Sequence, residues 1–393
     1  MPCLSLSGTP VMRKLRALVL SLSVSAMLGG CFLWPDATPG PKPSPLPALS
    51  GSVKLQSDWH KSAGKLRPAV LRPAVAGISV FAASADGTLT RLESGREVWS
   101  VRAAKALSAG VAANGKLVVV ASAAGELLAF EPLQGKALWR AQLGGEVSGL
   151  PLIADDIVVV RVGDNLVQAF NVADGTQRWI YQRAQSSLIL RSYSGFGRIG
   201  DAVLAGFSGG KLVSLSQGGG FPRWEATVAL PRGANELERM TDLVGEPMVR
   251  GDAVCVAAYQ ARVACVDSGK GTVRWTRDIG SGVGADADDS TLYITDTTGA
   301  VHALDIRSGA TLWKQDKLAW RGVGRPLVVG DYVAVADTSG WVHLLDRKEG
   351  RFMGRLDVDS SGITAPMALL GKGFVLQARD GTVHMISLAE ATK

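Results

Sequence analysis

Seven tryptophans recur at positions 59, 99, 139, 179, 224, 275 and 313, and the first three intervals are 40 residues each. The later intervals are 45, 51 and 38 residues. Six of these tryptophans stand four residues after a glycine: Gly95/Trp99, Gly135/Trp139, Gly175/Trp179, Gly220/Trp224, Gly271/Trp275 and Gly309/Trp313. In the next unit Gly350 leads to Gly354, so the spacing survives where the tryptophan does not. A period near 40 means one supersecondary unit copied many times, each copy burying its apolar surface against its neighbours.

Within each interval the same order recurs. An apolar or alternating run (Lys116–Ala121, Asp156–Val160, Asp331–Ala336) reads as a strand. A glycine turn follows, as at Asp86-Gly87, Ala124-Gly125, Ser339-Gly340 and Asp380-Gly381. A second strand (Leu127–Glu131, Val301–Asp305, Val342–Asp346) leads through another turn to the tryptophan strand. With a short inner strand ahead of each set, the unit has four strands. The 47 glycines suit this turn-rich, all-β reading. Four-stranded sheets repeated at this period pack radially, which predicts a β-propeller of four-stranded antiparallel blades.

Inner strands begin near Ala69, Ala109, Gly149, Arg198, Pro247, Ala285, Pro326 and Pro366, which gives eight blades. The last unit has no tryptophan strand after it, whereas the chain begins with an orphan one around Trp59. The N-terminal strand is therefore expected to complete the eighth blade and close the ring.

Ahead of the repeat, Arg13, Lys14 and Arg16 precede an apolar stretch from Ala17 to Leu28. That stretch is too short to span a bilayer and has the form of a secretory signal, with Met12 as the expected start. Leu28-Gly29-Gly30-Cys31 resembles the bacterial lipobox, which implies cleavage before Cys31, acylation there and a lipid anchor. Phe32, in place of an aspartate, implies sorting to the outer membrane. Pro35, Pro39, Pro41, Pro43, Pro45 and Pro47 make residues 31–50 a Pro-rich tether of extended, semi-rigid chain. The domain reading is thus a signal over 1–30, an acylated tether over 31–50 and the propeller over 51–393.

The formal charge of +7 falls to +4 once the three leader cations are removed. With no block of Lys or Arg, a nucleic-acid partner is not expected. Cys255 and Cys265 lie symmetrically about a hairpin turn, on one face, and form either a cross-strand disulfide or a pair of buried thiols. His302, His343 and His384 share one repeat position at intervals of 41, each in a different blade, which favours a packing role over a metal. Asp286-Ala-Asp288-Asp289 lacks the spacing of a calcium loop and reads as a solvated turn. No catalytic constellation and no cofactor site are legible.

Repeats ending in Gly-x-x-x-Trp resemble the pyrroloquinoline-quinone (PQQ) type propeller of quinoprotein dehydrogenases, and a PQQ-dependent periplasmic dehydrogenase is the alternative reading. A periplasmic sensor or cell-wall-binding propeller is a third. The adjacent cysteines several of those enzymes carry do not occur in this sequence. The departures from the 40-residue unit point elsewhere. Two consecutive connections are lengthened, at Gln185–Ser192 and at Arg232–Asp242, one blade apart on the same rim. Leu188 and Leu190, beside Arg191, are either apolar anchors for a protein partner or caps on the propeller core, and Asp242 could hold Arg191.

The lipobox, tether and eightfold repeat, together with Leu188-x-Leu190-Arg191 and Glu238-Arg239-Met240-Thr241-Asp242, resemble the BamB family of outer-membrane propeller lipoproteins. Val358–Gly362 and Gln377–Val383 extend the likeness. It implies a non-catalytic scaffold that assists assembly of β-barrel outer-membrane proteins. Leu188, Leu190, Arg191 and Asp242 would dock on the periplasmic POTRA domains of BamA, and unfolded outer-membrane clients could add to exposed blade edges. Ser192-Tyr193 departs from the family's glycine-containing continuation, as does Gly354 from the expected tryptophan.

Overall fold

A computed structural model describes residues 41–51, 53–66, 69–163, 165–184, 194–231, 233–235 and 239–389. The chain divides after Lys42, and the described residues belong almost wholly to the second unit, from Pro43 onward. Eight sheets follow one another in that unit. Blades 1 to 7 span residues 74–102, 107–142, 152–182, 196–227, 243–277, 285–315 and 327–357. Blade 8 joins Ala368–Leu370, Gly373–Gln377 and Thr382–Ala389 to the N-terminal strand Lys54–Ser62, which pairs antiparallel with the last of them. The expected closure around Trp59 is observed.

One blade exceeds the expected four strands. Val70–Leu71 runs parallel to the inner strand of blade 2, Leu107–Ala113. That short pairing leads the chain from blade 8 to blade 1 along the central channel.

The second strand of each blade is mostly apolar because neighbouring blades cover both of its faces. Ile157–Val162 and Ala253–Ala258 are buried at every position. The core is correspondingly a ring of clusters between blades. Between blades 5 and 6, for example, Val244, Cys255, Val263 and Trp275 pack on Ala285, Leu292, Ile294 and Leu304.

The Gly-x-x-x-Trp spacing has two physical causes. The six tryptophans from Trp99 to Trp313 each donate the indole N–H to a carbonyl of the following blade, among them Trp179 to Gln217 (2.8 Å), Trp275 to Ile306 (2.7 Å) and Trp313 to Arg347 (3.0 Å). The ring then lies on the glycine of that same following blade. A Cβ on Gly309 would stand 2.5 Å from the Trp275 ring, and one on Gly350 would stand 2.6 Å from Trp313. Both glycines also have positive φ. The motif in one repeat is therefore read by the tryptophan of the repeat before it.

Blade 7 breaks the pattern for a reason the sequence did not disclose. At Gly354 a Cβ would lie 2.4 Å from the carbonyl of Val53. The incoming N-terminal chain occupies the place where the tryptophan would begin. The Val53 N–H bonds to Met353, and those of Ser50 and Gly51 bond to Phe352.

Candidate functional site

Antiparallel order sorts the connections onto two faces. Links from the outer strand of one blade to the inner strand of the next share a face with the turns between the second and third strands. The described ends of both lengthened connections, at 184 and 194 and at 231 and 239, lie on this loop face.

Leu188, Leu190 and Arg191 lie outside the described residues, so the expected pairing of Arg191 with Asp242 does too. The ends of their loop are described. Arg183 is held at the outer strand of blade 3, its main chain bonded in both directions to Asn165 (2.9 and 2.8 Å) and its guanidinium to Glu225. Lys211 also reaches Glu225, at 3.3 Å. At the other end the Ser194 carbonyl accepts from Leu150 (2.8 Å), and the Gly195 N–H donates to Gly245 (3.2 Å).

Gly245 follows Asp242 by three residues, so the first loop returns to the strand that begins just after Asp242. There Met240, Thr241 and Asp242 are buried at the base of the second loop, with Asp242 8 % exposed. Its carbonyl accepts the N–H of Tyr259 (2.9 Å). Leu230, near the start of that loop, is 63 % exposed. Beyond Tyr259 the same face opens into a cavity of about 650 Å³ lined by Tyr259, Gly282, Asp296, Gly299 and Trp320. Trp320 is half exposed, with a φ of 63°.

The central channel holds a charged group that sequence reasoning missed. Blade 5's inner strand slips register between Val244 and Met248, and the irregularity presents Glu246 inward. Arg72 grips both carboxylate oxygens (3.1 and 2.7 Å), and Arg325 reaches one of them at 3.0 Å. Burial alone would raise the Glu246 pKa. The charge of Arg72, then that of Arg325, outweighs it and brings the value down to about 2. Arg325 also donates to the Ala285 carbonyl (2.7 Å) and lies 3.9 Å from Asp286. Arg72 lies 174 positions from Glu246 and Arg325 a further 79, a juxtaposition no local pattern reveals. They form an ionic plug lining a cavity of about 440 Å³ whose walls are as polar as they are apolar.

Two acidic residues expected on a solvated turn prove structural. Asp286 is 9 % exposed and accepts the N–H of Val328 (2.8 Å), while Asp288 accepts the Tyr293 hydroxyl (2.8 Å). Asp289 alone of the three is exposed. The blade-related histidines each meet an aspartate: His302 with Asp296 (2.9 Å), His343 with Asp337 (3.2 Å) and His384 with Asp359 (3.3 Å). Among the described residues no cluster of three His, Cys, Asp or Glu could hold a metal. Cys255 and Cys265 face each other in register on adjacent strands, Cα atoms 4.0 Å apart, and are joined as a disulfide.

Comparison with known proteins places this geometry. The family described as outer membrane protein assembly factor BamB matches residues 85–315 and 298–393. An outer membrane protein assembly factor BamB of Bordetella pertussis is 36 % identical over 362 residues, 91 % of this chain and 94 % of the relative. One of Burkholderia pseudomallei is 35 % identical, covering 87 % and 90 %. Among solved structures, BamB from Moraxella catarrhalis superposes with a TM-score of 0.79 at 23 % identity, covering 85 % of this chain and all of that one. A quinohemoprotein alcohol dehydrogenase from Comamonas testosteroni reaches 0.66 at 10 % identity, covering 86 % and 77 %, a likeness of fold.

Proposed function

This chain belongs to the BamB family of outer membrane protein assembly factors, and from that premise we propose that it is a non-catalytic, lipid-anchored scaffold of the barrel-assembly machinery. In this reading Cys31 carries the acyl chains, the propeller stands on the periplasmic side of the outer membrane, and its loop face docks on the POTRA domains of BamA. Docking brings it beside unfolded barrel clients and assists their folding and insertion.

The observation that carries the reading is the convergence of the two lengthened connections on one strand. The return of the first loop is bonded at Gly245, three residues from Asp242 at the base of the second. Two loops that break an otherwise regular repeat thus share one anchoring point, as a compact docking patch requires. Leu188 and Leu190 supply apolar anchors, and Arg191 with Asp242 supplies the charged pair. The central channel offers little to the quinone alternative, because Glu246 already holds both inward arginines.

The test is recovery of BamA with the tagged lipoprotein from detergent-solubilised outer membranes. Truncation of a docking hot spot costs at least about 2 kcal/mol, so Leu190→Ala or Arg191→Glu should weaken binding roughly 30-fold while circular dichroism stays unchanged. Undiminished recovery by both variants would remove the site assignment. Recovery of glycan in place of assembly subunits would favour a cell-wall-binding propeller.

A further inference from the structure

The last part of the Pro-rich segment is docked. In Pro43-Ser44-Pro45-Leu46-Pro47 the prolines have no N–H, and the Ser44 N–H donates to the Ala319 carbonyl at 3.0 Å. The Ser44 carbonyl in turn accepts from Arg321 Nη1 (3.1 Å), whose Nε is held by the fully buried Asp337 (2.7 Å). Arg355 donates to the carbonyl of Pro47. Farther on, Ser50, Gly51 and Val53 bond to Phe352 and Met353 at 2.7, 3.2 and 3.0 Å.

The close approach depends on small residues on both sides. A Cβ on Gly51 would lie 2.4 Å from the Met353 methyl, and one on Gly354 would meet the Val53 carbonyl. Blade 7 has surrendered its tryptophan to this contact.

The path has a direction. Phe352 and Met353 begin the outer strand of blade 7, at the face opposite the loops. Ala319 lies in the link between blades 6 and 7, next to Trp320, whose N–H bonds to the Thr298 turn (2.7 Å) on the loop face. The described residues between 44 and 53 therefore run from the loop face at Ser44 to the opposite face of blade 7 at Val53. Ser44 lies thirteen positions after Cys31, a reach of at most about 45 Å.

We propose that residues 44–53 are an orienting strap: they commit the lipid-anchored end of the chain to the loop face, so that this face is turned toward the bilayer and a protein docked there lies between the propeller and the membrane. The inference rests on the anchoring of Cys31 proposed above.

The test uses the acylated, full mature protein bound to vesicles of phosphatidylethanolamine and phosphatidylglycerol carrying an acceptor-labelled lipid. A donor dye is placed at Thr297→Cys, on the loop face, or at Lys348→Cys, at the opposite end of blade 7; both sites are exposed. Energy transfer should be stronger from 297 than from 348. The difference should be lost when the strap is released by Ser44→Pro with Gly51→Val, or independently by Ser44→Pro with Arg355→Gln. Equal transfer from the two sites on bound protein, or a difference that survives both releases, overturns the strap alone. Acylated protein that stays off the vesicles overturns the anchor and this proposal with it.

Discussion

Replacing Glu246 by Gln should destabilise the propeller strongly at neutral pH and progressively less as the pH falls toward 2. The substitution keeps the side-chain volume and one acceptor, and removes the charge between Arg72 and Arg325. The side chain is 22 % exposed, so solvent screens the pairing only in part. The arginines lower its pKa from the ordinary 4.5 to about 2. Such a drop corresponds to roughly 3 kcal/mol of stability at neutral pH, an upper bound for the ionic contribution. The folded-state value is depressed, so the contribution is complete above pH 4.5 and is lost as pH falls through 2. At pH 3 about 1.4 kcal/mol should remain. Breaking a buried pair from one side costs a similar amount, about 3–5 kcal/mol, because the partner charge is left behind. Arg325 keeps the Ala285 carbonyl and Asp286, which sets the expectation at the lower end. Urea unfolding of both proteins at pH 7, 5 and 3, followed by circular dichroism, measures the difference. A gap below about 1 kcal/mol at pH 7, or one that does not narrow toward pH 3, would refute the electrostatic account of the plug.

The remaining predictions concern the repeat and the disulfide. Gly309→Ala forces a side chain into both a positive φ and the Trp275 ring, whereas Gly330→Ala meets a positive φ with nothing within 4 Å. The second should cost about 1–2 kcal/mol and the first distinctly more, measured as urea midpoints; equal losses would mean that the ring contact is unimportant. The disulfide of Cys255 and Cys265 closes a 10-residue separation, so reduction, or Cys255→Ala with Cys265→Ala, should lower stability by about 2–3 kcal/mol. Thiol titration of the unfolded mature protein should find the two additional sulfhydryls only after reduction.

The blade count and ring closure were legible in the sequence because they follow from a period and from one unmatched strand. Trp59 had no partner unit before it, and the last blade had no tryptophan strand after it. The role of the glycine in Gly-x-x-x-Trp was not legible, because its contact is with the tryptophan of the preceding repeat, about 35 residues back in sequence. The plug was invisible for a stronger form of the same reason. Arg72, Glu246 and Arg325 belong to no shared motif, and only closure of the ring brings them together. Of the residues proposed for docking, Asp242 could be placed at a loop base, while Leu188, Leu190 and Arg191 rest on the sequence and the family likeness.

A regular propeller is nearly symmetric, and symmetry cannot by itself distinguish one blade or one face from another. Function therefore has to reside where the repeat is broken, and in this chain the breaks are not independent. The long connections of blades 3 to 5 mark the loop face. The lost tryptophan of blade 7 lets the N-terminal segment cross to that same face. The slipped strand of blade 5 sends Glu246 into the channel four residues after Asp242. Each irregularity costs something a regular blade would have: a ring contact at Gly354, and regular pairing between Val244 and Met248. Two of them converge on residues 242–246, and the third directs the tether. Deviations arising by neutral drift would scatter around the ring, whereas these three bear on one face and one strand. A docking module that must be both oriented and rigid where it binds would place its departures from the repeat in this way.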